Sequence, residues 1–111
     1  MVRYLLIESR DPFEYADTDY MYQVAEQLVD NGNDVTFFLI QNGVFVTRRS
    51  SKNNPMDTLL SRQGNIRIMA DEFSLRERGI EVQHLVAGIQ IASIDVLVDM
   101  LVDSKFKILW H

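Results

Sequence analysis

The chain has 111 residues, with 16 acidic and 11 basic side chains, a formal net charge of -5 and a pI near 4.8. That length fits one domain spanning 1–111, and 47% hydrophobic with 24% charged residues is enough to bury a core. The absence of cysteine excludes a disulfide scaffold, a thiolate metal site and a cysteine nucleophile, and the acidic balance argues against general nucleic-acid binding because no excess of cations is available to displace phosphate counterions.

Val2 to Ile7 is a mostly apolar run and reads as a first strand. Glu8-Ser9-Arg10-Asp11-Pro12 ends it; Pro12 cannot donate to a ladder and disfavours helix at Asp11. This start is too short and too soon acidic for a signal peptide, and no apolar run approaches the ~18 residues a membrane span needs. The expectation is a soluble, cytoplasmic protein. Asp17-Thr18-Asp19 marks a helix start with acids near the positive end of the dipole. Met21, Val24, Ala25, Leu28 and Val29 then recur at helical spacing, until Asn31-Gly32-Asn33 stops the helix.

The central stretch is Asp34 to Val46. Val35 to Ile40 is β-branched, aromatic and apolar without alternation, as expected of a strand covered on both faces. Gln41-Asn42-Gly43 ends it, and ligands in open parallel sheets sit outside the carboxyl ends of the strands. Val44-Phe45-Val46 is apolar, and Thr47 to Asn54 reads as a polar loop. Pro55 opens a short helix, Met56 to Arg62, and Ile66 to Met69 forms a third strand. Asp71 or Ser74 would cap the next helix, with Ser74 and Glu77 at capping-box spacing and Gly79 placed to end it. Ile80 to Ala87 has no clear pattern. Ile89 to Ala92 is a fourth strand, and Ser93 caps a helix whose buried face is Ile94, Leu97, Val98, Leu101 and Val102. Phe106 to Trp110 closes the chain as a strand. The order β-α-β-α-β-α-β-α-β predicts an α/β fold: a single flavodoxin-like, three-layer domain around a five-stranded, mainly parallel sheet.

Few residues carry a chemical signature. Asp95, Asp99 and Asp103 lie four apart opposite the apolar face of the last helix and read as a solvated surface, since metal sites draw ligands from several elements. His84 and His111, the two histidines, lack a spaced partner for zinc or catalysis. Arg48, Arg49 and Lys52 form a basic cluster, either a solvated loop tip or a contact for an anion or acidic partner. Asp71 follows the third strand directly, at the ligand-binding edge of such a sheet; its plain role is an N-cap, worth about 1 kcal/mol. No glycine-rich phosphate loop or nucleophile elbow is present, and no metal or cofactor is expected.

Ile66 to Ile80, IRIMADEFSLRERGI, resembles the DsrE/DsrF/DsrH-like (TusD/TusC/TusB-like) family in the third strand, the short helix and its Arg78-Gly79-Ile80 ending. Asn33 to Phe38 resembles the family's second strand, Asn42-Gly43-Val44 its turn, and Ile94 to Trp110 its close. The resemblance implies a small α/β fold, oligomers that are often mixed, and sulfur relay as a persulfide on a cysteine eight residues before the glycine matched by Gly79. Asp71 stands there. A carboxylate oxygen forms no persulfide, so the resemblance implies a member without the nucleophile, comparable to partner subunits that build a complex and carry no sulfur. The candidate pocket at that position is Asp71, Glu72, Asn42 and Gly43. The expected partners are further copies, DsrE-like chains or other sulfur-transfer proteins. The alternatives are a receiver-like phosphoacceptor, for which Glu8 and Asp11 only loosely supply the acidic pair and a lysine after the last strand is missing, and a small enzyme using Asp71 as a general base.

Overall fold

In a computed structural model, which describes residues 1–15, 17–48, 54–62 and 64–111, the chain folds into five strands and four α-helices. The strands are β1 (Arg3–Glu8), β2 (Asp34–Leu39), β3 (Ile66–Asp71), β4 (Ile89–Ala92) and β5 (Phe106–Trp110). The helices are α1 (Thr18–Asp30), α2 (Pro55–Leu60), α3 (Glu72–Glu77) and α4 (Ile94–Val102), with 3-10 turns at Gln41–Thr47 and Val82–His84. The sheet order is β4-β3-β2-β1-β5, and all four pairings are parallel.

The apolar run of β2 is central, as its two-sided burial requires: Val35, Phe37, Phe38 and Leu39 have no exposed surface. Successive side chains alternate across the sheet. Leu6, Phe37, Leu39, Ile68 and Ala70 pack beneath α1, α2 and the segment after β2, through residues such as Met21, Ala25, Val44 and Leu59. Leu5, Ile7, Phe38 and Ile40 face the other way, where Leu97 of α4 covers them. The two layers follow from the connections. Steps from β1 through β4 run in one direction across the sheet, and the return through α4 to β5 runs back past all of them. Right-handed crossovers therefore place α4 on the opposite face from α1 and α2.

The tertiary structure decides one local reading between its two alternatives and corrects two others. The cap of α3 is Asp71, whose side chain accepts the Ser74 N–H; Ser74 lies inside the helix. The helix after Pro55 ends at Leu60, with Asn54 as its cap. In α4 only Leu97 of the expected buried face is fully covered, and Leu101 is partly covered. Ile94, Val98 and Val102 are exposed, at 48%, 49% and 78%. The helix is apolar around most of its circumference, and one sheet face covers only one side of it.

Candidate functional site

Asp71 ends β3, paired with Ala92 of β4 one residue beyond the last β2 pair at Ala70, before the chain turns into α3. The residue is buried, with 4% of its surface exposed. Oδ2 accepts the Ser74 N–H at 3.0 Å and the Ser74 hydroxyl at 2.6 Å. The Ser74 hydroxyl in turn accepts the Gln41 N–H at 2.8 Å. That bond pins the end of β2 to α3 and holds Gln41 at φ +50°, a left-handed conformation that side chains other than glycine occupy at a cost. The other oxygen, Oδ1, is buried and has no partner among the described residues.

Arg78 closes the same corner. Its Nε donates to Asn42 Oδ1 at 3.0 Å and its Nη1 to the Ser74 carbonyl at 3.2 Å. The guanidinium also lies 5.9 Å from the Phe45 ring centroid. Between these groups is a cleft of about 660 Å³, lined by Gln41, Asn42, Asp71, Ser74, Glu77 and Arg78 with Ile40, Phe73 and Ile94 as its apolar walls. The volume is in the range of small-molecule sites.

The structure places Asp71 and Asn42 in this cleft. Glu72 points elsewhere: it pairs with Arg76 at 3.7 Å and borders a separate groove with Ile80 and Ile91. Gly43 lies under the end of β1 and donates to the Ser9 and Ile40 carbonyls. Arg48 is exposed, with its guanidinium 5.2 Å from the Phe45 centroid and its Nε bonded to the Phe45 carbonyl. Arg49 and Lys52 lie outside the described residues. Asp95 and Asp99 are exposed, Asp103 caps the Lys105 N–H, and no cluster of metal-ligand side chains occurs among the described residues. Sequence reading missed Ser74 and Arg78 as cleft residues, whereas Gln41 opens the strand-end loop where a ligand is expected. The helical spacing of 71, 74 and 78 carried a signal for the last two turns, but nothing in the chain announces that Gln41 meets them.

A second polar cluster sits between β1 and β5, where the strand order reverses, a place where open parallel sheets often hold ligands. Glu8 is fully buried there, and both its oxygens lie 2.9 Å from His111 Nδ1. The Arg10 N–H also donates to it, at 3.1 Å. His111 Nε2 reaches Asp17 Oδ2 at 3.4 Å, and Arg10 lies 3.6 Å from that same oxygen. Burial raises the Glu8 pKa above its ordinary 4.5, with the Arg10 N–H and His111 opposing the shift. His111 thus has a carboxylate partner 103 residues away, which no spacing rule reveals.

Two solved structures share this arrangement of elements. A protein of unknown function, MTH1491 from Methanobacterium thermoautotrophicum, superposes with a TM-score of 0.83 at 16% identity over 100% of both chains. The ychN protein from E. coli superposes with a TM-score of 0.83 at 19% identity, over 99% of this chain and 100% of its own. At these identities the likeness shows the fold. No curated protein matches the sequence. The model of the DsrE/DsrF-like family matches residues 2–109, nearly the whole chain, and the protein belongs to that family.

Proposed function

We propose that this chain is a non-catalytic DsrE-like subunit or binding protein of cytoplasmic sulfur transfer, one that assembles with further DsrE-like or sulfur-transfer chains and performs no persulfide chemistry of its own. The observation that carries this reading is the state of Asp71. Where the family resemblance implies a sulfur-carrying cysteine, a carboxylate stands, and one of its oxygens is tied to the N–H and hydroxyl of Ser74. Sulfane sulfur needs a thiolate, and the chain contains no cysteine.

Surface composition supports assembly. Ile94, Val98 and Val102 of α4 and Ile108, Leu109 and Trp110 of β5 are all at least 40% exposed. Exposed apolar surface of this kind commonly marks a protein–protein contact. No helix among the described residues is long and apolar enough to cross a membrane.

Light scattering on the eluting protein tests the assembly: oligomers that Val98→Asp or Trp110→Glu dissociates are expected, and a monomer at high concentration overturns it. Loading tests the sulfur role. The native chain should take up no sulfane sulfur from a persulfide donor, and Asp71→Cys should gain it; uptake by the native chain refutes the reading. The receiver-like alternative has less support, because Glu8 is engaged by His111 and Asp71 by Ser74. Treatment with acetyl phosphate and Mg²⁺ should leave the intact mass unchanged.

A further inference from the structure

Four buried side-chain atoms lack a partner among the described residues: Thr18 Oγ1, Tyr22 Oη, Arg62 Nε and Asp71 Oδ1. Of these, Asp71 alone lines one of the described clefts, and it is the one carboxylate. An unsatisfied buried acceptor costs about 1–3 kcal/mol, more when charged. Asp71 therefore brings to the wall of the cleft a carboxylate still short of one donor.

The opposite requirement sits beside it. Arg78 carries five N–H groups in a planar fork. Two are used on Asn42 and the Ser74 carbonyl, and no carboxylate lies within ion-pair distance among the described residues. These contacts fix the guanidinium in place while leaving donors free, which is how arginine is pre-organised for a carboxylate or similar anion. Ser74 spans the two charges: its N–H and hydroxyl face Asp71 and its carbonyl faces Arg78. An acceptor in need of a donor and a cation in need of an anion thus lie on either side of Ser74 in a single cleft. Ile40, Phe73 and Ile94 offer apolar surface around them.

The geometry points to a small zwitterion of the amino-acid type as the ligand of this cleft, its ammonium toward Asp71, its carboxylate on Arg78 and its carbon chain against Phe73 and Ile94. This deepens the binding-protein reading and rests on it. A free amino acid and a whole dipeptide both carry the ammonium–carboxylate pair, at different separations.

Calorimetric titration of the full chain tests the inference with glycine, leucine, aminobutyrate, aminohexanoate and dileucine, beside butylamine and butyrate as single-charge analogues. One zwitterion is expected to bind at least about tenfold more tightly than either analogue, the size of one charge-assisted hydrogen bond. Dileucine outbinding leucine would assign the site to a dipeptide, and the reverse to a free amino acid. Asp71→Asn retains an N-cap of equal quality, so the fold survives. It should weaken the zwitterion and butylamine about tenfold and leave butyrate unchanged, whereas Arg78→Gln should weaken the zwitterion and butyrate and leave butylamine unchanged. Arg78→Lys should recover part of the butyrate affinity. Zwitterions that bind no better than butylamine or butyrate, or a crosswise pattern that fails to appear, overturn the inference. Assembly and persulfide loading are read separately, so a negative titration with intact oligomers removes the ligand alone, and a monomeric, sulfur-loading native chain removes the broader reading.

Discussion

Replacing Gly43 by alanine should be among the most damaging single-methyl changes available in this chain. Gly43 follows β2 inside the 3-10 segment, and its backbone is not left-handed. A Cβ there would stand 2.3 Å from the Glu8 carbonyl oxygen and 3.1 Å from its carbon. Both atoms are main chain at the end of β1, and the same oxygen accepts the Ile40 N–H at 3.0 Å. No rotamer change relieves the clash; the two strand ends must separate by roughly 1 Å to reach ordinary contact. Overpacking of this kind costs about 1–3 kcal/mol. Loss of the Ile40–Glu8 bond adds about 0.5–1.5 kcal/mol, for a total near 2–4 kcal/mol. For a chain of this length that corresponds to a fall in Tm of about 8–16 °C. Urea denaturation followed by far-UV circular dichroism measures it. Gly79→Ala is the control: φ is +66° with open space around the position, so only backbone strain of about 1 kcal/mol is expected. If Gly43→Ala costs no more than Gly79→Ala, the close approach of β1 and the β2 loop is wrong.

Glu8 gives a pH dependence whose sign is fixed. Its pKa is raised in the folded state, so between the ordinary 4.5 and the raised value the native protein binds more protons than the unfolded chain, and stability falls as pH climbs through that window. Subtracting the denaturation profile of Glu8→Gln from that of the native chain should reveal this decline, and a difference flat across pH 4 to 8 would contradict it. His111→Ala removes the ring partner of a buried carboxylate and should cost about 1.5–3 kcal/mol at neutral pH, measured by the same urea titration. Tyr22→Phe should be neutral or stabilising by up to about 1–3 kcal/mol, because the buried hydroxyl has no partner among the described residues; a loss beyond ~0.5 kcal/mol would expose an unseen bond. Gln41→Gly relieves a left-handed side chain and should stabilise by about 0.5 kcal/mol, the strain released less the added freedom of the unfolded glycine, with thermal melting as the readout.

The sequence by itself determined the order of elements and the class of fold. A run such as Val35 to Ile40 has no polar side to leave in water, so it belongs inside a sheet covered twice, and the helical stripe from Met21 to Val29 supplies one cover. Local capping and turn chemistry were legible where they depend on the residue alone, as at Gly32 and Gly79, which adopt φ +84° and +66°. Asn42-Gly43 misleads in the same terms: the left-handed residue is Gln41, held by Ser74 from another element, and Gly43 is needed for a neighbouring carbonyl. The buried side of α4 was misassigned from the chain: Val96, Met100 and Leu101 join Leu97 against the sheet in place of Ile94, Val98 and Val102, because a helix apolar on most sides acquires a direction only from the sheet it meets. The cleft belongs to the tertiary structure for the same reason. Hydrogen bonds from Gln41 to Ser74 and Arg78 to Asn42 join residues more than 30 apart, and the Glu8–His111 pair joins the two ends of the chain. Periodicity is a short-range property of one element, whereas a site is made where the carboxyl ends of different strands converge, and only the packed sheet brings them there.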